Sequence, residues 1–130
     1  HSLDRRQRQM CIRDRLIVAT DTINHYNAIV DKTFAGSVEA AHEHARLFLA
    51  PGMAHCRGGP GPDTWDNLVP LVNWVENGVE PDRIKATHST DGQIDNERPL
   101  CVYPQQARYV GPVGGSNNSQ NWRAENFECQ

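Results

Sequence analysis

An open α/β fold with a parallel sheet is the fold class the sequence predicts, on three observations. Apolar residues at helical spacing precede a short continuous apolar run, "RLFLA" at residues 46–50, and a second helical pattern follows it. Between the run and the second helix stands "PGMAHCRGGPGPDT", too rich in Gly and Pro for helix or strand. Helix, buried strand, loop and helix in that order is the pattern of an α/β sheet whose strand-end loops carry chemistry. With 130 residues, there is material for one domain at most.

Residues 1–15, "HSLDRRQRQMCIRDR", differ from the rest. They hold 5 of the 13 Lys and Arg residues, and beyond them the chain carries 8 basic against 14 acidic residues. No apolar h-region follows the charges, so the stretch is not a secretory signal. "MCIRDR" reads as translated adaptor or linker DNA, with the authentic protein starting at about Leu16; a disordered native arm is the other reading. The expected organisation is a non-native tail at 1–15 and a catalytic-domain portion at 16–130.

In "TDTINHYNAIVDKTFAG", Ile23, Tyr26, Val30 and Phe34 repeat at helical spacing, with Thr20 or Asp21 as cap and Gly36 past the end. Ser37 caps a second short helix at 38–45. The apolar run 46–50 fits a strand buried on both faces. Trp65, Leu68, Val69, Val72 and Val75 then form one helical stripe, capped by Asp63 and closed by Gly78; Pro70 either kinks this helix or sits where its i−4 carbonyl points to solvent, and Trp74 lies off the stripe. Ile84, Ala86 and His88 alternate as a last strand, and residues 91–130 read as an irregular tail.

Composition narrows the function. No apolar run approaches the roughly 20 residues of a membrane span. Net charge is −3 with no basic stripe beyond the first fifteen residues, so neither membrane nor nucleic acid is an expected partner. His42 and His44 stand at i and i+2 of one short helix and face apart, which argues against a metal set with His55 and Cys56. The Gly58 to Pro62 loop lacks the Lys-Ser/Thr of a phosphate cradle. No cofactor is expected. His55 remains: an imidazole on a strand-end loop is suited to taking and returning a proton near neutral pH.

"RLFLAPGMAHCRGGPGPDTWDNLVPLVNWVENGVEP" (46–81), "RPLCVYPQQARYVG" (98–111) and the closing "NFECQ" together resemble the C-terminal part of the tannase and feruloyl esterase family of α/β hydrolases. The resemblance implies the C-terminal portion of an α/β-hydrolase fold: an incomplete parallel sheet, flanking helices and an irregular, disulfide-closed tail. His55 would be the general base of a serine esterase acting on aromatic acid esters. Cys56 would be joined to a cysteine beside the serine, a residue carried by an N-terminal part of the protein that this chain lacks. The family's orienting aspartate precedes the "TINHY" helix, and Asp14 stands at that register; it is either the triad acid or an adaptor-encoded residue. Cys101 and Cys129 would pair with each other, the alternative being two free thiols. Closing that segment stabilises by roughly 3 to 4 kcal/mol on the chain-entropy estimate, and such bonds place the protein outside the cytosol, secreted or periplasmic. The chain by itself is expected to be inactive. Two rivals stand beside the esterase: a non-catalytic, disulfide-stapled binding module, and a pseudoenzyme of the same fold.

Overall fold

The computed structural model describes residues 8–11, 19–55 and 57–130. The strand β2 (Leu47–Ala50) is its centre, and its two faces are covered by different parts of the chain. Helix α1 (Ala19–Thr33) directs Tyr26 and Val30 inward, with Ile23 and Phe34 half-buried on the same stripe. Thr20 and Asp21 lie inside its first turn rather than at the cap; Asp21 there complements the helix dipole. The chain leaves α1 through Ala35 and Gly36 in left-handed conformation, and Ser37 begins α2 (Val38–His42) by accepting the Ala40 N–H at 3.2 Å.

Parallel pairing of β2 with β1 (Arg8–Cys11) runs from Arg8 opposite Leu47 to Cys11 opposite Ala50. The basic N-terminal stretch thus supplies backbone to the sheet. The other edge of β2 meets Val102, and the Tyr103 N–H donates to the Leu47 carbonyl at 2.8 Å. Alternation divides the strand's side chains between two cores. Leu47 and Leu49 pack against α1 and α2, while Phe48 and Ala50 join Met53, Ile84, Ala86, Leu100 and Val102. Each large apolar side chain so buried contributes about 1.5 to 3 kcal/mol.

Arg46, only 5% exposed, enters β2. Its Nε donates to the His42 carbonyl at 3.0 Å, and its Nη1 donates to the Pro81 carbonyl at 3.1 Å and to Asp82 at 2.5 Å. Its Nη2 bonds Glu80, and the guanidinium lies over Trp74 with its carbon 5.5 Å from the ring centroid.

After the loop come β3 (Thr64–Trp65), α3 (Leu68–Asn77), β4 (Arg83–Thr90) and β5 (Gln93–Cys101), with β3, β4 and β5 forming an antiparallel sheet. The helix differs from the sequence reading. Trp65 pairs with Ala86 in β3, so α3 starts at Leu68, where the Asp66 carboxylate accepts the Leu68 and Val69 N–H groups. Pro70 then falls in the first turn, where a missing N–H costs nothing, and no kink is required. The buried residue is Trp74, drawn under Arg46, whereas Leu68, Val69, Val72 and Val75 are exposed. Gly78 closes the helix at φ 69°, as its position implies.

From residue 91 the chain is more regular than its composition suggests. Asp91 and Gly92, both at positive φ, form the two-residue turn of a β4–β5 hairpin, the geometry that Asp-Gly favours. Irregular structure begins only after Cys101, interrupted by β6 (Ala107–Tyr109) and β7 (Phe127–Cys129), which pair antiparallel. A Cys101–Cys129 disulfide, Cα–Cα 5.6 Å, ties β7 to β5. The α/β class and the disulfide-closed terminal segment therefore hold.

The hairpin carries one ion pair and a hydrogen-bonded His–Asp–Thr cluster. His88 Nδ1 is 2.6 Å from Asp95 Oδ1, the Thr90 hydroxyl donates to Asp95 Oδ2 at 2.6 Å, and Lys85 meets Glu97 at 2.6 Å. The Thr90 hydroxyl first, then His88, holds the Asp95 carboxyl below the usual carboxylate range. A depressed folded value means that Asp95 stabilises at pH above the ordinary carboxylate range and loses that effect as pH falls through its folded value. Thermal melts across pH should therefore show Asp95→Asn less stable than the parent at neutral pH, the two curves converging in acid. Removing Arg46 leaves the His42 and Pro81 carbonyls unpaired, but Glu80 and Asp82 return to water. Arg46→Ala is accordingly expected to lose about 3 kcal/mol in urea unfolding, at the low end for a broken buried pair.

Candidate active site

His55 sits on the loop that leaves the C-terminal end of β2. Met53, fully buried, anchors the outgoing arm in the core of Phe48, Ala50, Ile84, Ala86, Leu100 and Val102. The returning arm is fixed where the Asp63 N–H donates to the Thr87 carbonyl of β4 at 3.1 Å. Two backbone bonds pinch the loop: Gly61 N–H to Gly52 O at 3.1 Å, and, nearer the tip, Ala54 N–H to Gly58 O at 2.7 Å. The Asp63 carboxylate adds a third tie, accepting the Gly58 N–H at 2.7 Å. His55 lies within the inner turn, exposed to solvent.

This loop explains its own composition. Gly59, at φ 96°, and Gly61 each lie so close to the opposite arm that a Cβ would collide with a carbonyl, that of Gly52 and that of Pro51 respectively. The arms approach at backbone distance, which only glycine permits. The Gly-rich segment is thus a clasp that holds the histidine's turn, and no phosphate site is needed to account for it.

His42 and His44 do not approach one another. His42 Nε2 donates to the Tyr103 carbonyl at 2.9 Å, and His44 stacks on Phe34 with ring centroids 5.6 Å apart. Among the described residues no group of three or more His, Cys, Asp or Glu is arranged to hold a metal ion. Trp74 packs beneath Arg46 and Trp65 against the Phe48 core, both as structural residues. Asp14 and Cys56 lie outside the described residues. Cys101 and Cys129 are bonded. Sequence reasoning missed the His88–Asp95 pair, whose signal was the Asp91-Gly92 turn between two alternating segments, and a cleft beside Arg98, for which no local signal existed.

A histidine on a clasped loop at the C-terminal end of a parallel strand, over a partial sheet with helices on one face, is the arrangement of an α/β hydrolase. Comparison narrows the class. Residues 10–129 match the family model described as tannase and feruloyl esterase, and the chain belongs to that family. It is 44% identical over 119 residues to mono(2-hydroxyethyl) terephthalate hydrolase from Piscinibacter sakaiensis, a match covering 89% of this chain and 18% of that protein. It is 32% identical over 127 residues to a probable feruloyl esterase B-1 from Aspergillus fumigatus, covering 86% of this chain and 24% of the relative. The crystal structure of feruloyl esterase B from Aspergillus oryzae superposes with a TM-score of 0.80 at 26% identity, over 97% of this chain and 26% of that one. The chain thus spans about a quarter or less of the length of these two curated relatives.

Because Gly61 has no room for a Cβ, Gly61→Ala is expected to open the clasp. The His55 imidazole NMR signals should shift and broaden, while the Cys101–Cys129 bond, being covalent, stays intact on thiol titration.

Proposed function

We propose that this chain is the histidine-bearing part of a serine carboxylic ester hydrolase for aromatic acid esters, with His55 as general base. The observation that carries the reading is the family match across residues 10–129 with His55 on the clasped loop at the end of β2. The serine comes from a part of the protein outside these 130 residues. His55 takes the serine proton as the oxygen attacks the ester carbonyl, and returns it to the departing alcohol; it then activates water to release the acid. The Gly61–Gly52 and Ala54–Gly58 bonds hold the imidazole in register for both transfers, and positioning of this kind contributes much of an enzyme's rate. Asp14 is the proposed orienting acid, and Cys56 the link that fastens the loop to the serine's turn.

The activities for which the relatives are named, hydrolysis of a terephthalate monoester and of feruloyl esters, support an aromatic acid as the acyl group. A secreted or periplasmic location is supported by the Cys101–Cys129 bond, which a reducing cytosol would not maintain. Among the described residues no helix is long and apolar enough to cross a membrane.

The test is a chimera in which residues 10–129 replace the matching segment of the Piscinibacter sakaiensis hydrolase. It should cleave an aromatic monoester, whereas the 130-residue chain alone should not. His55→Ala in the chimera should lower kcat by about a thousandfold or more. Residual turnover within about tenfold of the parent chimera would remove His55 from the base role. A folded chimera without activity would favour the pseudoenzyme or binding-module reading.

A further inference from the structure

A cleft of about 280 Å³ lies beside the C-terminal end of β2, bounded by Leu49, Pro51, Arg98, Pro99, Gln105 and Gln106. His55 does not line it. The volume is at the lower end for small-molecule sites, which suits a one-ring or short-chain compound. Leu49, Pro51 and Pro99 give it apolar walls, and the exposed Gln105 and Gln106 stand at its rim.

Arg98 is the unusual member. Its Nη2 donates to the Ala107 carbonyl at 3.2 Å, and its guanidinium carbon lies over Phe127, 5.4 Å from the ring centroid. Among the described residues Nη1 has no partner, and Nε is buried without one. No carboxylate among them pairs with it. Arg46, which is buried where Arg98 is half-buried, has two carboxylates and two carbonyls. Burial pushes the Arg98 pKa below the ordinary arginine value, which reports a cation whose lost hydration is not replaced. Half-buried, lining the cleft and without a carboxylate partner among the described residues, the guanidinium keeps Nη1 as a donor for one charge-assisted hydrogen bond to a carboxylate. The cation–π contact with Phe127 and the Ala107 bond fix its orientation in advance, so little side-chain entropy is lost when a ligand arrives.

We propose that this cleft binds a small organic carboxylate, its acid group on Arg98 and its apolar body against Leu49, Pro51 and Pro99. The site is separate from the His55 loop, and the inference stands independently of the esterase reading. An organic acid held here would sit against Pro51, the residue at which the chain leaves β2 to form the histidine's loop.

Calorimetric titration of the oxidised 130-residue chain with benzoate, and with benzamide as its neutral counterpart, tests the proposal. Benzoate is expected to bind saturably at one site, with benzamide weaker by about tenfold or more, since it lacks the charge. In the unmodified chain the Gln105 and Gln106 side-chain amide NMR signals should shift with benzoate over the same concentration range. Arg98→Gln should weaken benzoate by about tenfold or more, with Arg98→Lys retaining part of the affinity. Should Arg98→Gln fail to fold, the benzoate and benzamide comparison and the amide shifts still decide. Equal binding of the two compounds, unchanged affinity in a folded Arg98→Gln, or absence of saturable benzoate binding would each overturn the proposal. The chimera could still turn over esters in that event, so the two readings fail separately.

Discussion

The buried guanidinium of Arg46 is the constraint on which the arrangement depends. A cation taken out of water must have its donors satisfied, and Arg46 satisfies them from three places in the chain: the end of α2, the 80–82 segment and the ring of Trp74. Those contacts bring α3 and the entry to β4 against the start of β2. Once the N-terminal end of the strand is pinned this way, its far end is left to the residues beyond Ala50, and Met53 and Asp63 fix it. The histidine's position is the product of two anchorages, one ionic and one apolar, at opposite ends of a four-residue strand.

Division of the core between the two faces of β2 follows from its alternation. One face accepts helices, the other an antiparallel sheet, so a single short strand contributes side chains to both cores. This explains how a chain matching about a quarter or less of its curated relatives still has well-packed cores of its own. The His55 loop and the Arg98 cleft both lie at the strand's C-terminal end.

How much of this was legible depended on range. The stripe of α1, the Ser37 cap, the apolar run of β2 and the Gly78 stop are local signals, and each agrees with the structure. The inward face of α3 was not legible, because a competing stripe of Leu68, Val69, Val72 and Val75 is stronger by count, and Trp74 is claimed by a partner 28 residues earlier in the chain. Polar Asn96 and Arg98 and the imino acid Pro99 disguised β5, although the Asp91-Gly92 turn announced a hairpin. For the site, the loop around His55 was readable from its glycines, but the reason for those glycines, two backbones in close approach, is a tertiary fact. Arg98 was unreadable since its significance lies in the partners it does not have.

The Cys101–Cys129 bond has a topological consequence. It turns the terminal segment into a covalent ring that begins in β5 and closes in β7. A single cut by an external protease inside that ring severs the backbone without releasing either piece. The ends stay held by sulfur and by the β6–β7 pairing. Wherever a protease reaches the folded chain, the loops after Cys101 are thereby a place where damage is survivable, visible only as a second fragment once a reductant is added.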